Sequence, residues 1–247
     1  MNKFDRIQQL IAMMAYKRPA YSKSERAFAD RFLLPVFGNP DRFGNFIHII
    51  GDKPNVLFAA HYDTVHKTEG MQNITMDHAT GMMSKTYPDG ECLGADCTTG
   101  VWLQLNMIKA GVEGVYVCHA AEEIGGIGSR GIVNSYVDYQ NNDSDIDTYP
   151  WLDYINVVIS FDRLGTTSVV THQSLERTCS DIFGYSLIDI LAGQWNLVLD
   201  SYGTYTDSME YAEIVPECTN ISVGYYNQHT PRETQDVFFA LDLLEKL

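Results

Sequence analysis

The chain has 247 residues, 45% of them hydrophobic and 20% charged, enough for a sizeable core within one α/β domain spanning 1–247. A formal net charge of −15, with no Lys/Arg cluster to interrupt it, repels phosphate backbones and argues against a nucleic-acid partner. No apolar run is long enough to cross a bilayer, the N-terminus lacks a signal-peptide pattern, and five cysteines without a repeated C-x-x-C suit free thiols, so we expect a soluble cytoplasmic protein with no membrane partner.

Phe4, Ile7, Ile11 and Met14 recur at helical spacing and predict a helix over 3–16. A second helix over 22–34 opens on Ser22 with Glu25 three residues later and is closed by Pro35 and Gly38. Phe43–Ile50 and Asn55–His61 read as strands joined by a hairpin turn at Gly51-Asp52-Lys53-Pro54. Val65–Ala95, rich in Met and His and without clear periodicity, reads as a long functional loop and a candidate wall of a substrate pocket. Beyond it, short apolar runs at Val115–His119, Asn156–Phe161 and Asn220–Gly224 suit central strands covered on both faces. Helical patterns over 98–110, 128–139, 180–192 and 234–247 alternate with them, while Tyr139–Tyr149 has the Asn/Asp density of a surface loop. The alternation predicts a three-layer α/β sandwich, a mixed and largely parallel sheet flanked by helices.

The residues with chemistry gather at strand ends. His61 ends one run, Glu122 and Glu123 follow another, Asp162 ends a third and His229 follows the last. Side chains at the carboxyl ends of such strands converge on one crevice, and Asp96 joins them from the turn before the 98–110 helix. His61, His229, Asp96, Glu123 and Asp162 make a mixed N/O ligand set that suits a pair of divalent ions, zinc first with cobalt or manganese as alternatives. Glu122 would then be the base. Asp63 shares a strand face with His61 and can accept its ring N–H. Each residue also has a plainer reading: an ion pair with Arg163 for Asp162, an exposed loop histidine for His229, a charged turn for Glu122-Glu123. Against the last, Ile124-Gly125-Gly126-Ile127-Gly128-Ser129 is too apolar for an ordinary acidic surface. His66, His78, His119 and His172 lack matched acidic partners and default to core or surface roles, with His119 the one to check. Cys97 would sit among carboxylates that raise a thiol's pKa, which disfavours a cysteine hydrolase.

The ordered series His61-Tyr62-Asp63-Thr64, Leu93-Gly94-Ala95-Asp96, Ala121-Glu122-Glu123-Ile124-Gly125, Phe161-Asp162 and Asn227-Gln228-His229-Thr230-Pro231 resembles the co-catalytic zinc exopeptidases, a family that includes bacterial leucyl aminopeptidase, peptidase T and glutamate carboxypeptidase. The resemblance implies Asp96 as bridging ligand, His61 and Asp162 on one metal, Glu123 and His229 on the other, Glu122 as general acid/base and Asp63 as the orienting acid. It also implies a cis peptide at Asp96–Cys97 and a site-lining role for Tyr205-Thr206-Asp207-Ser208. Two departures stand out. Cys97 replaces the Asp or Asn usual after the bridging residue, which bears on metal preference. Only residues 163–228 separate Asp162 from His229, leaving no room for the lid or dimerisation domain that some relatives insert there. The expected function is an aminopeptidase cleaving N-terminal residues from peptides through a hydroxide shared by two metals, because an acidic pocket suits a substrate α-ammonium. A carboxypeptidase-type hydrolase would need a cation, and only Arg163 and Arg232 are near. A metal-dependent amidohydrolase or deacylase and a catalytically silent scaffold of the same fold are the alternatives, and a homo-oligomer is compatible with all of these.

Overall fold

The apolar runs assemble into a seven-stranded sheet in the computed structural model, which describes residues 2–141, 148–191 and 195–247. Its strand order is Val198–Asp200, Ser168–Val170, Glu217–Ser222, Val157–Arg163, Val56–His61, Gly114–His119 and Phe46–Ile50. Four of the six neighbouring pairs are parallel, and two are antiparallel, Phe46–Ile50 with Gly114–His119 and Ser168–Val170 with Glu217–Ser222.

Successive side chains on a strand point to opposite faces, so continuous apolar runs feed two cores. Phe58, Tyr116 and Phe161 pack on one face with Trp102 of helix Ala95–Ala110, Leu10 of Lys3–Met14 and Phe239 of Val237–Leu244. Leu57, Val115 and Val158 pack on the other with Ile132 of helix Ile127–Gln140 and with Tyr211 at the end of the short helix Asp207–Glu210. The result is the three-layer sandwich.

Several expectations need correction. The strands flanking residues 51–54 form no hairpin, because Gly114–His119 lies between them and pairs with both. That central run is apolar on both faces and takes the interior position, pushing Phe46–Ile50 to the sheet edge. The stretch 65–95 is not simply a loop. Gly70–Met71 pairs with Tyr16–Lys17, and Ile74–Met76 and Met82–Lys85 join Thr234–Asp236 and Tyr225–Tyr226 in a small antiparallel sheet. Strands of two to four residues are too short to show a period. Tyr16 therefore leaves the first helix, and Thr234–Asp236 precedes the last one, where the Asp236 side chain caps Phe239 N.

The second predicted helix splits into Lys23–Phe28, a π turn at Ala29–Leu33 and Leu34–Phe37. Pro35 falls in the first turn of the last piece, where its missing N–H costs nothing. Helix Asp181–Ile190, capped by Ser180, matches the 180–192 pattern up to the undescribed residues from 192, and residues 142–147 of the predicted surface loop also lie outside the described residues. Among the described residues no helix is long and apolar enough to cross a membrane.

Candidate metal centre

Val56–His61, Gly114–His119 and Val157–Arg163 run parallel, so their carboxyl ends share one rim. His61 is the last residue of its strand and is buried. Its Nδ1 lies 3.2 Å from the Asp63 carbonyl and 3.3 Å from Asp63 Oδ1, which aims Nε2 into the rim. Past the second strand the chain turns through Ala121 at φ 57 to bring up Glu122 and Glu123. The Asp63 carboxylate accepts both their backbone N–H groups, at 3.1 Å each. Asp63 thus orients the histidine and also pins the acidic turn.

Asp96 sits in a break at the start of helix Ala95–Ala110, where it and Cys97 leave helical geometry, and the Asp96–Cys97 peptide is cis. Gly94, at φ 78, opens this turn, and a Cβ there would meet the His66 ring at 2.8 Å. Asp162 is fixed through its backbone: its N–H donates to Asn220 Oδ1 at 3.0 Å and its carbonyl accepts from Asn220 Nδ2 at 2.7 Å. Thr206 and Tyr225 hydroxyls then donate to its two carboxylate oxygens, at 2.6 and 3.2 Å. His229 lies between Tyr225–Tyr226 and Thr234–Asp236 with φ 61, a conformation uncommon for a residue with a side chain.

These side chains meet. His61 Nε2 is 3.0 Å from Asp96 Oδ1, 3.6 Å from Asp162 Oδ1 and 3.9 Å from Glu122 Oε2. His229 Nε2 is 3.1 Å from Asp96 Oδ2 and 3.1 Å from Glu123 Oε1. One carboxylate therefore presents a different oxygen to each imidazole. A cleft of about 80 Å³ opens over Asp96, Glu122, Glu123, Asp162 and His229, walled by Leu164, Thr204, Tyr205, Tyr225 and Gln228. None of its lining residues comes from 65–95, so the wall expected there is supplied instead by the segments around 164, 204 and 228.

The electrostatics are those of crowded acids. Burial pushes Glu122 up to about 10, opposed by His61 and reinforced by Asp207, Asp162 and Glu123. Burial likewise raises Asp207 to about 7 and raises Glu123 and Asp162. Hydrogen bonds donated to the Asp96 and Glu123 carboxylates lift His229 to about 11. His61 is held well above the ordinary imidazole value: burial works against its charge, and Asp162, Asp63 and Asp96 outweigh it. Such a cluster calls for a cation. The donor set fits one, since three groupings (Asp96, Glu123, His229; His61, Glu122, Glu123; His61, Cys97, Asp162) each bring their donor atoms within 4.8 Å of one another. Glu123 Oε1 is moreover buried, with the His229 imidazole 3.1 Å away.

Cys97 Sγ donates to the Phe161 carbonyl at 3.0 Å, and burial holds its pKa well above the usual thiol value, so it stays protonated. The remaining histidines lie elsewhere: His119 pairs with Asn45 and Tyr211, His66 with Thr64 and the Cys92 carbonyl and His172 with Thr171, while His48 packs edge-on against Phe37 and His78 is exposed. Sequence reasoning missed Glu233, Asn220 and Tyr225. The buried Glu233 carboxylate accepts Gly94 N at 2.7 Å and Asp96 N at 3.1 Å, tying the His229 loop to the Asp96 turn. Its one signal was an acid four residues past His229, weak beside the adjacent Pro231 and Arg232.

No family model and no curated protein matches the chain. Solved structures do. Aminopeptidase PepT from Bacillus cereus aligns with a TM-score of 0.68 at 10% identity, covering 100% of this chain and 97% of that one. A tripeptidase from Staphylococcus aureus gives 0.70 at 10%, covering 100% and 96%. The TET1 peptidase of Pyrococcus horikoshii gives 0.63 at 14%, covering 99% and 98%. At these identities the shared property is the fold, the α/β sandwich of these peptidases.

Proposed function

We propose that the chain is a single-domain two-metal exopeptidase that removes N-terminal residues from peptides. The observation that carries this reading is Asp96, whose Oδ1 and Oδ2 lie 3.0 and 3.1 Å from the Nε2 atoms of His61 and His229. A carboxylate so placed could be shared between two ions. His61 and Asp162 would hold one, Glu123 and His229 the other, with zinc favoured by the mixed N/O donors. When bound, the pair activates a water and polarises the scissile carbonyl.

The chain's own residues do the rest. Glu122, whose Oε2 sits 3.9 Å from His61 Nε2, takes the proton of the attacking water and passes it to the leaving amine. Asp63 holds His61 in the tautomer that leaves Nε2 free and fixes the turn that carries Glu122. The acidic cleft attracts the substrate's α-ammonium. Arg163 is the one Lys or Arg among the described lining residues, and its Nη2 lies 2.8 Å from Asp200, whose carboxylate offsets the charge and leaves the cleft acidic. This favours an aminopeptidase over a carboxypeptidase. The five cysteines are unpaired and buried, which suits a reducing compartment.

The test is hydrolysis of amino-acid p-nitroanilides against their N-acetylated forms, with and without chelator. Cleavage of the free-amine substrates alone, abolished by chelator, is expected, whereas preference for N-acetylated substrates would assign an amidohydrolase. Glu122→Ala should lower kcat by roughly 10²–10⁴ while zinc content stays near that of the parent. Activity within about tenfold of the parent would remove Glu122 from the role of base.

A further inference from the structure

The segment between helices Lys3–Met14 and Lys23–Phe28 carries a buried cation that none of the roles above uses. Arg18 has no exposed surface. Burying a guanidinium costs several kcal/mol unless hydrogen bonds and a counter-charge offset it. Here its Nε donates to the Tyr62 carbonyl at 2.8 Å, Nη1 to the Met13 carbonyl at 3.2 Å and Nη2 to Thr98 Oγ1 at 2.6 Å. The Phe28 ring covers it at 4.1 Å, and Asp63 is the leading acid acting on its charge.

The targets lie beside the metal centre. Tyr62 separates His61 from Asp63. Thr98 follows Asp96 by two residues, and its hydroxyl in turn donates to the Gly94 carbonyl. The Arg18 backbone grips the same region, since its N–H donates to Thr64 Oγ1 at 3.1 Å and its carbonyl accepts Thr64 N at 2.8 Å. Residues on both sides of Asp63 are therefore anchored to Arg18, and one planar fork joins the His61–Asp63 segment to the Asp96 turn. An apolar side chain could fill the volume but not make that link, and a lysine, a point charge on a flexible stem, could not span it in the same geometry.

We propose that Arg18 is a positioning residue of the metal centre, fixing the separation between His61 and the shared Asp96. The inference rests on the two-metal reading for what is positioned. Its test uses the full chain with Arg18→Lys and Arg18→Met, and Gln104→Leu as a control. Gln104 is equally buried and bridges the carbonyls of Phe58 and Val117 at 3.0 Å each, within the sheet rather than at its rim. Zinc affinity is titrated against a chelator, visible spectra are recorded with cobalt, and kcat, KM and Tm are measured on a p-nitroanilide.

Both Arg18 variants should bind the more weakly held ion about tenfold less tightly and lose about tenfold in kcat, with KM nearly unchanged and altered cobalt bands. Gln104→Leu should lower Tm without moving any of these. If Arg18→Met does not fold, Arg18→Lys decides. Variants that lose only Tm, as the control does, overturn the role of Arg18 while leaving the two-metal reading intact. A parent chain that binds fewer than two zinc ions overturns both.

Discussion

The two imidazoles of the candidate centre are built differently. His61 ends a central strand, its side chain is 1% exposed, and Asp63 aligns its ring from behind. His229 stands in a connection between short strands at positive φ, with its side chain 47% exposed. Strand ends inside a sheet are held by ladders on both sides, whereas a loop is held by whatever side chains reach it. Asp96 joins the two halves. We therefore expect a rigid, enclosed His61–Asp162 position and a more open Glu123–His229 position, from which an ion leaves first.

The largest effect that could break this comparison comes from removing each imidazole. His61→Gly should lose both ions and nearly all activity, because it empties a buried position and strips Asp96 of one partner. His229→Gly should lose one ion and keep the other. Because that position opens to solvent, added imidazole should restore part of its activity, as it should not for His61→Gly. Metal content by elemental analysis and rates with and without imidazole read both outcomes; equal loss and equal rescue would show the two halves to be alike.

A smaller effect sharpens the comparison at the bridge. The Glu233 carboxylate holds two backbone N–H groups of the Asp96 turn, and charge-assisted bonds of this kind are roughly twice as strong as neutral ones. Glu233→Gln offers one oxygen and sets an NH₂ against the other donor. We expect kcat/KM to fall about tenfold, with weaker zinc binding at the open position and little change at the enclosed one. A variant indistinguishable from the parent in zinc titration would show that the loop positions itself without this strut.

What was legible in the sequence follows the same division. The seven side chains His61, Asp63, Asp96, Glu122, Glu123, Asp162 and His229 could be picked out because most follow apolar runs, and apolar runs become central strands whose ends converge. The partners that hold them could not. Asn220 lies inside a run that reads only as core, Tyr225 as one of many tyrosines, and Arg18 precedes Pro19 in a connection without periodicity. Their roles depend on contacts across 58, 63 and 80 residues, between Asn220 and Asp162, Tyr225 and Asp162, and Arg18 and Thr98, which no local pattern records. The short strands within 65–95 and the strands Ser168–Val170 and Val198–Asp200 were unreadable for another reason: three or so residues do not establish a period of two. The expected hairpin failed because local turn chemistry at 51–54 says nothing about which strand takes the interior place.

The last effect falls on stability and leaves catalysis aside, and it separates the site histidines from the core ones. Hydrogen bonds donated to acids raise His229, whereas burial pushes His119 down to about 3 and, with Arg18 adding to it, His66 down to about 4. In the folded chain His119 therefore stays neutral through mildly acidic pH, while in the unfolded chain it takes a proton below about 6.5. The unfolded state then binds more protons, so stability is full above about pH 6.5 and falls as the pH drops toward 3, by about 2 kcal/mol at pH 5 for this group alone. Buried carboxylates with raised values, Glu25 and Glu233 among them at about 7, act in the opposite direction, so the slope of the parent alone is not diagnostic. His119→Gln isolates the contribution, since an amide can still pair with Asn45 and Tyr211 but cannot be protonated in this range. The loss of stability between pH 7.5 and pH 5, measured by urea unfolding, should be smaller in the variant by about that amount. Parallel pH profiles for parent and variant would mean that His119 is protonated in the fold, and the contrast between the two kinds of histidine would fall.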